Sequence, residues 1–285
     1  MGLFSKKKKK NQTTELVVSS IVNETSESIS IGFSIPDDLK ADYSFVAGQY
    51  VTLVANINGA EVRRSYSICS DENDPEIRIG VKRVEGGLMS NYLPDNLSVG
   101  SSLKVLKPEG NFKLNNGGGT YVAIAAGSGI TPVLSQVKKV SKAGGKFHLF
   151  YGNHTPESTM FKNQLDQLSG DSLTVDYSYT DQGDPQYTEE ALTAKFNSNS
   201  QLLQADGFFL CGPQAVIENA KSVLKTFGVD DSKVHFELFV ANTGDTVVKS
   251  GGDSVDTSNA TIVIDGEEIS MTLAGTGDSI LDQVI

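Results

Sequence analysis

Gly117-Gly118-Gly119-Thr120-Tyr121-Val122-Ala123-Ile124-Ala125-Ala126-Gly127-Ser128-Gly129-Ile130-Thr131-Pro132 divides this chain into two textures. Its middle, Thr120 to Ala126, is an apolar run bounded by glycines. That is the pattern of a strand covered on both faces. Thr131-Pro132 then opens a helical pattern through Val133, Leu134, Val137 and Val140, since proline is tolerated in a helix's first turn. Downstream the alternation repeats. Strands are expected at Lys146 to Tyr151, Ser172 to Tyr179, Gly207 to Cys211 and Lys233 to Phe239. Helices are expected at Pro156 to Leu168, Glu189 to Phe196, and from Gly212-Pro213 through Leu224. Residues 115–240 therefore predict an α/β doubly wound parallel sheet.

Upstream, from 15 to 114, the texture is β. Glu15-Leu16-Val17-Val18, Ser28-Ile29-Ser30-Ile31-Gly32-Phe33 and Glu76-Ile77-Arg78-Ile79-Gly80-Val81 alternate at period two. Asn-Gly and Asp-Pro turns separate such runs at short spacing, which predicts a small antiparallel β-barrel. Residues 1–14, with five lysines at 6–10, read as a basic disordered tail. Residues 241–259, rich in Gly, Ser, Asp and Thr, read as a linker. In 260–285, Ala260 to Ile264, the Asp265-Gly266 turn and Ile269 to Leu273 suggest a hairpin. Asp278 is a candidate helix cap beyond it. That piece is too small for an independent core.

Composition narrows the classes. The 285 residues are 38% hydrophobic and 21% charged, with a net charge of -11. An acidic body argues against nucleic acid as a partner. Ser5 stands one place early for a myristoylation pattern after Gly2. No apolar run reaches the ~20 residues of a membrane helix, and no apolar h-region follows the lysines. Cys69 and Cys211 lie far apart and form no disulfide framework or metal spacing. A cytoplasmic chain without membrane or metal is expected. The three histidines have no triad or metal spacing.

Four stretches carry chemistry. Arg63-Arg64-Ser65-Tyr66-Ser67 follows the Asn58-Gly59 turn. A strand there puts Arg64 and Tyr66 on one face and Ser65 and Ser67 on the other. That offers a cation for phosphate, a ring for a planar ligand and short hydroxyl donors. An ordinary strand with surface arginines and a core Tyr fits the same letters. Gly86-Gly87-Leu88-Met89-Ser90, after Lys82-Arg83, is a candidate anion site in which Ser90 could cap a short helix, or else a simple turn. Gly127-Ser128-Gly129 sits between a buried strand and a helix start, where glycines admit a pyrophosphate, though many α/β turns contain glycine. Cys211-Gly212-Pro213 ends a strand at the sheet edge where ligands bind, and a buried Cys can also pack as a small hydrophobe.

Together these motifs, with Tyr151-Gly152-Asn153 and Glu237-Leu238-Phe239, occur in one order and spacing. The chain thereby resembles the ferredoxin–NADP reductase superfamily. Within it, the likeness is to reductase components of bacterial oxygenases such as the phenylacetyl-CoA epoxidase (phenylacetate-degradation) reductase. It spans about Glu15 to Phe239, and the C-terminal piece resembles the start of a β-grasp, plant-type ferredoxin domain.

The resemblance implies an FAD-dependent NAD(P)H oxidoreductase. Arg64 would pair with the FAD pyrophosphate. Tyr66 would stack on the isoalloxazine, with Ser65 beside it and Ser67 near N5. Val81, Lys82 and Arg83 would line the adenosine side, while Gly87, Leu88, Met89 and Ser90 would hold the pyrophosphate. Thr131 would lie near the flavin. Gly127, Ser128 and Gly129 would cradle the nicotinamide dinucleotide. Cys211, Gly212 and Pro213 would border the nicotinamide, and Phe239, two residues after Glu237, would cover the flavin face. His154 replaces the family's usual Arg, and Thr180-Asp181 replaces a Ser-Arg pair. An Asp repels a 2′-phosphate, which leans the choice from NADPH to NADH. The ferredoxin cysteines are absent, so this chain cannot ligate a [2Fe–2S] cluster by itself. The implied electron acceptor is a ferredoxin-type or oxygenase component. The alternatives are a free-standing flavin or haemoprotein reductase and a non-catalytic FAD-binding subunit.

Overall fold

A computed structural model of the chain describes residues 13–185 and 187–239, and the backbone of 257–264 and 267–274. The chain divides into two compact units, Met1–Thr243 and Gly244–Ile285.

The first unit holds two sheets. Strands β1 (Thr14–Thr25), β2 (Ser28–Ser34), β3 (Tyr50–Ile57), β4 (Ala60–Ser67), β5 (Glu76–Lys82) and β6 (Ser102–Val105) form one antiparallel sheet in the order β4-β3-β6-β1-β2-β5. An Ile68–Ile79 bridge just past β4 joins the two edges and curls the sheet into a barrel. Period-two alternation drives this arrangement: Ile29, Ile31, Phe33, Val51, Leu53, Ile77, Ile79 and Val81 point into one core. The helix α1 (Leu88–Asn96) covers one end through Met89 and Leu93.

Strands β7 (Thr120–Ala126), β8 (Lys146–Asn153), β9 (Leu173–Tyr179), β10 (Gly207–Gly212) and β11 (Val234–Leu238) form the second sheet, ordered β11-β10-β7-β8-β9. Its pairs are all parallel. Helices α2 (Ile130–Ala143), α3 (Lys162–Leu168), α4 (Glu189–Ser198) and α5 (Gln214–Thr226) connect the strands. Two apolar clusters cover the sheet's two faces, one with α2 and one with α4 and α5. Chain order runs outward from β7 to β9, then returns to the other side of β7 at β10. The switch point, where such sheets bind ligands, thus lies at the carboxyl ends of β7 and β10. None of the described helices is long and apolar enough to cross a membrane.

Two local expectations change. The helix expected from Pro156 starts only at Lys162. Side chains hold the chain before it in turns: Ser158 Oγ accepts from the Thr155 amide at 3.0 Å, and Thr155 Oγ1 accepts from the Ser158 amide at 3.1 Å. Phe161 then adopts φ 59°. The reciprocal bonds close a single capped turn, and the left-handed Phe161 keeps that turn from running on into α3. Ser90 does not cap α1. Gly87 occupies the cap position without a side-chain bond, and Ser90 lies inside the first turn. There its Oγ accepts from the Val84 amide at 3.3 Å, fastening the preceding turn instead.

In the second unit, β12 (Thr257–Ile264) and β13 (Glu267–Ala274) pair antiparallel, Ala260 opposite Met271. The basic tail, all of the linker but its last three positions, the Asp265-Gly266 turn and the Asp278 cap lie outside the described residues.

Candidate functional site

The flavin-strand candidates sit at the outer end of β4. Ser67, nearly buried, pairs with Tyr50 of β3. Arg64 and Tyr66 are half-buried, and Ser65 is exposed with its Oγ 3.0 Å from Thr52 Oγ1. Arg64 Nη1 donates to the Arg63 carbonyl at 2.7 Å. Burial pushes the Tyr66 phenol well above its usual range, with Arg64 opposing. The phenol therefore stays neutral, as a stacking platform requires.

On β5 and its exit, Val81 is fully buried in the barrel core, as is Met89 in α1. Both can offer a ligand only their backbone. Lys82 is half-buried. Arg83 pairs with Asp95 and donates from Nη1 to the Asn91 carbonyl. The Gly87 amide already donates to Val84 O at 3.0 Å within the turn, so the anion donors left here are the first amides of α1, from Leu88 to Ser90.

The nucleotide turn follows β7 directly. Gly127 takes φ 55°, and a Cβ there would meet nothing within 4 Å. The turn is open above this glycine. A Cβ on Gly129 would be driven into the Cys211 carbonyl, so this position fixes the approach of β7's exit to β10. Thr131 is buried, and its Oγ1 donates to Ser128 O at 3.0 Å. Its methyl lies against Gly80 of β5, where any side chain would collide with it. The turn is thus brought hard against the barrel strand beside the flavin candidates.

Cys211 and Glu237 stand opposite one another in the β10–β11 register. Cys211 is fully buried, and burial, aided by the Glu237 charge, holds its thiol well above the usual range. Glu237 Oε2 is buried without a hydrogen-bond partner, and burial raises the carboxyl from 4.5 to about 7. A cavity of about 360 Å³, lined by Phe112, His235 and Glu237, opens beside it. The Tyr50 phenol, across from Ser67, is raised by burial and by the Glu109 and Glu237 charges. The barrel strand and the sheet edge therefore meet around Tyr50. Pro213 is exposed. Phe239 donates its amide to Gly212 O at 3.4 Å and packs on the sheet core.

His154, Thr180 and Asp181 form a separate exposed group. His154 Nδ1 lies 2.9 Å from Thr180 Oγ1, and the Asp181 amide donates to the His154 carbonyl at 3.1 Å. They end β8 and β9, one and two strands from β7, or about 5 and 10 Å across the sheet. That separation suits the far end of an extended dinucleotide.

Two supporting residues escape the motifs. Tyr151 Oη donates to the Gly127 carbonyl at 3.0 Å from beneath the turn. The Tyr187 ring covers Gly152, 2.9 Å from where a Cβ would stand. Tyr-Gly-Asn in the sequence hints at the first. Nothing local signals the second.

These features fit both groups that the motifs imply. The strand end offers a neutral ring beside a cation, α1 offers its first amides, and Glu237 offers a carboxyl oxygen without a hydrogen-bond partner near Tyr50.

Residues 15–114 match the family model described as an oxidoreductase FAD-binding domain, and residues 123–222 the one described as an oxidoreductase NAD-binding domain. The chain is 34% identical over 290 residues to one subunit of the 1,2-phenylacetyl-CoA epoxidase of Escherichia coli (strain K12), covering 95% of this chain and 80% of that one. It is 32% identical over 266 residues to a 3-ketosteroid-9-alpha-monooxygenase, ferredoxin reductase component, of Rhodococcus rhodochrous, covering 88% and 74%. Among solved structures, the FAD/NAD-binding domain of nitric oxide dioxygenase from Vibrio cholerae superposes with a TM-score of 0.66 at 26% identity, covering 79% of this chain and 98% of that one.

Proposed function

The chain belongs to the FAD- and NAD-binding oxidoreductases of the ferredoxin reductase type, and from that premise we propose that it takes a hydride from NADH and passes electrons one at a time to an iron–sulfur acceptor of an oxygenase system. FAD, when bound, supplies the hydride acceptor and the change from two-electron to one-electron transfer.

The chain's own residues bind and orient. Arg64 and the first amides of α1 hold the pyrophosphate, Tyr66 backs the ring, and Ser67 donates to its edge. Gly127 to Gly129 receive the nicotinamide dinucleotide, and Cys211 with Gly212 and Pro213 borders the nicotinamide. Thr131 against Gly80 leaves no room for a side chain between the turn and the barrel. Glu237, unpartnered and opposite Cys211, offers a negative charge to a nicotinamide that turns cationic as it loses hydride. Asp181, exposed at the far end of the sheet, disfavours a 2′-phosphate and suits a ribose hydroxyl.

The observation that carries this reading is the meeting of Thr131, at the nucleotide turn, with Gly80 of the barrel. It puts the dinucleotide turn against β5, whose Ile79 bridges to Ile68 just past the ring-binding strand β4. The oxygenase setting rests on the relatives, two of which are named as epoxidase and monooxygenase components.

The purified chain is expected to be yellow and to release FAD on denaturation. Anaerobic NADH should bleach it, and an added [2Fe–2S] ferredoxin should then be reduced. A colourless protein that cannot be reconstituted refutes the flavin reading. A flavin that neither NADH nor NADPH bleaches refutes hydride transfer.

A further inference from the structure

We propose that Lys138, Lys139 and Lys142 of α2 are positioning residues: by gripping the Cys69–Asp74 loop they set the spacing between the flavin strand β4 and the nucleotide turn at Gly127–Thr131. This rests on the hydride-transfer reading above.

Three successive lysine contacts converge on that one loop. Lys138 Nζ donates to the Cys69 carbonyl at 2.9 Å. Lys139 Nζ meets Glu72 Oε1 at 2.7 Å, and both side chains are largely buried, at 19% and 24% exposure. Lys142 Nζ, on a side chain 57% exposed, meets Asp71 Oδ1 at 2.7 Å, and that carboxylate is only 3% exposed.

The loop is stiff. The Asn73 amide donates to Asp71 and the Asp71 amide to Asp74, each at 2.9 Å. It is also tied to its neighbours. The Cys69 amide donates to Arg78 O at 2.8 Å, and the Ala47 amide to Glu72 at 2.7 Å. Only Ile68 separates it from Ser67. Force applied to the loop is therefore applied to β4 and β5.

The other end of the linkage is equally direct. α2 starts immediately after Gly129, so the helix that carries the lysines also carries the nucleotide turn. It touches the barrel side at three levels. Thr131 meets Gly80, buried Gln136 donates to the Phe112 carbonyl at 3.0 Å, and the lysines meet the loop. Cys69, Phe112 and Leu114 complete the seam by packing into the sheet's apolar core. Apolar packing gives adhesion but little register. The charged pairs fix the register, and hydride transfer is steep in distance: a 1 Å displacement lowers a rate about 100-fold.

The test is the double variant Lys139→Gln/Lys142→Gln, compared with the parent chain and with Lys139→Arg/Lys142→Arg. Anaerobic stopped-flow with NADH separates the limiting rate of flavin bleaching from nucleotide affinity. The glutamine pair should lower the limiting rate about tenfold or more, with NADH and FAD affinities within about threefold. It should also weaken the charge-transfer absorbance that NAD⁺ produces with reduced protein. The arginine pair should restore both. Hydrogen exchange without nucleotide should quicken at 127–131 as well as at 69–74.

An unchanged limiting rate, or quickened exchange confined to the loop, overturns the proposal. So does a loss wholly explained by lost FAD and a lowered unfolding temperature, because the lysines would then merely hold the fold together. If no nucleotide bleaches the parent chain, the hydride-transfer reading fails, and the exchange result at 127–131 still decides whether the lysines couple the two sites.

Discussion

Replacing Glu237 with Gln should remove a pH step from hydride transfer. Glu237 Oε2 is buried without a partner, and the carboxyl is raised to about 7 by burial. The move from 4.5 to about 7 corresponds to about 3 kcal/mol against the charged form. Two opposite unit charges in contact, about 4 Å apart, attract by about 4 kcal/mol at an effective dielectric of ~20, so a cation formed against the carboxylate would offset a cost of that size. Only part of that charge has developed in the transition state, and the carboxyl is not wholly shut from water. A net effect of about 1.4 kcal/mol, or tenfold, is therefore expected.

The sign follows. Below pH 7 Glu237 is neutral and gives the developing cation nothing; above it the carboxylate assists. The limiting bleaching rate should rise about fivefold from pH 6 to 8 in the parent chain, and Glu237→Gln should stay flat near the acid-side value. Groups around it do not mimic the step. Burial raises Cys211 and Tyr50 out of this range and pushes His235 down, away from it. The assay is anaerobic stopped-flow across pH, paired with infrared detection of the protonated carboxyl. A Gln variant that keeps the step refutes the assignment, as does a parent whose carboxyl band does not titrate near 7.

Folding stability should respond to the same group. The folded carboxyl lies above its ordinary value, so stability is full below about 4.5 and falls as pH rises through 7. At pH 8, Glu237→Gln should therefore unfold about 1–2 kcal/mol harder than the parent, and equally at pH 4, as read by urea melts. Gly129→Ala should collapse both stability and NADH binding, because its Cβ meets the fixed Cys211 carbonyl. Gly127→Ala, at φ 55° in open space, should lose about 1–2 kcal/mol of stability; equal effects in the two variants would contradict the turn geometry. Tyr66→Ala should weaken FAD binding about tenfold or more, and Tyr66→Phe should keep it, measured by flavin fluorescence. Asp181→Ser should lower the KM for NADPH about tenfold with little change for NADH. Cys211→Ala should slow hydride transfer with FAD still bound and add no new pH step.

The sequence displays local pattern well and distant contact poorly. The change at Gly117 to Gly119 separates an antiparallel from a parallel half because burial on one face and on two leaves different letters. Arg64 to Ser67 and Gly127 to Thr131 stand out because turns and strand ends gather their chemistry within a few residues. The failures are competitions that local pattern does not resolve. Pro156 to Phe161 looks helical, and its first turn is capped by Thr155 and Ser158, but Phe161 turns left-handed and stops it. Ser90 resembles a cap, yet its hydroxyl serves Val84. Val81 and Met89 are not such a case: their buried side chains leave the backbone contacts proposed for them open. Tyr187 over Gly152 and the lysines over 69–74 depend on pairings tens of residues apart, and no single stretch encodes them.

Burial also limits what chemistry the chain itself can do. A reactive thiol needs a depressed pKa, usually from a cation or a helix start. Cys211 has the opposite surroundings: it is fully buried and faces Glu237, so it stays a neutral thiol. That removes covalent catalysis and leaves shape. Tyr66 is likewise held neutral. The one group beside the junction, among the described residues, poised to change charge near pH 7 is Glu237, and under the proposed function it would face a nicotinamide gaining positive charge. The division of labour follows from burial. Partial burial makes a carboxylate there more effective than one in open water, and with Cys211 and Tyr66 held neutral the remaining task of the protein is distance. That task falls to Thr131 against Gly80 at the centre of the seam and to the lysines of α2 along its rim.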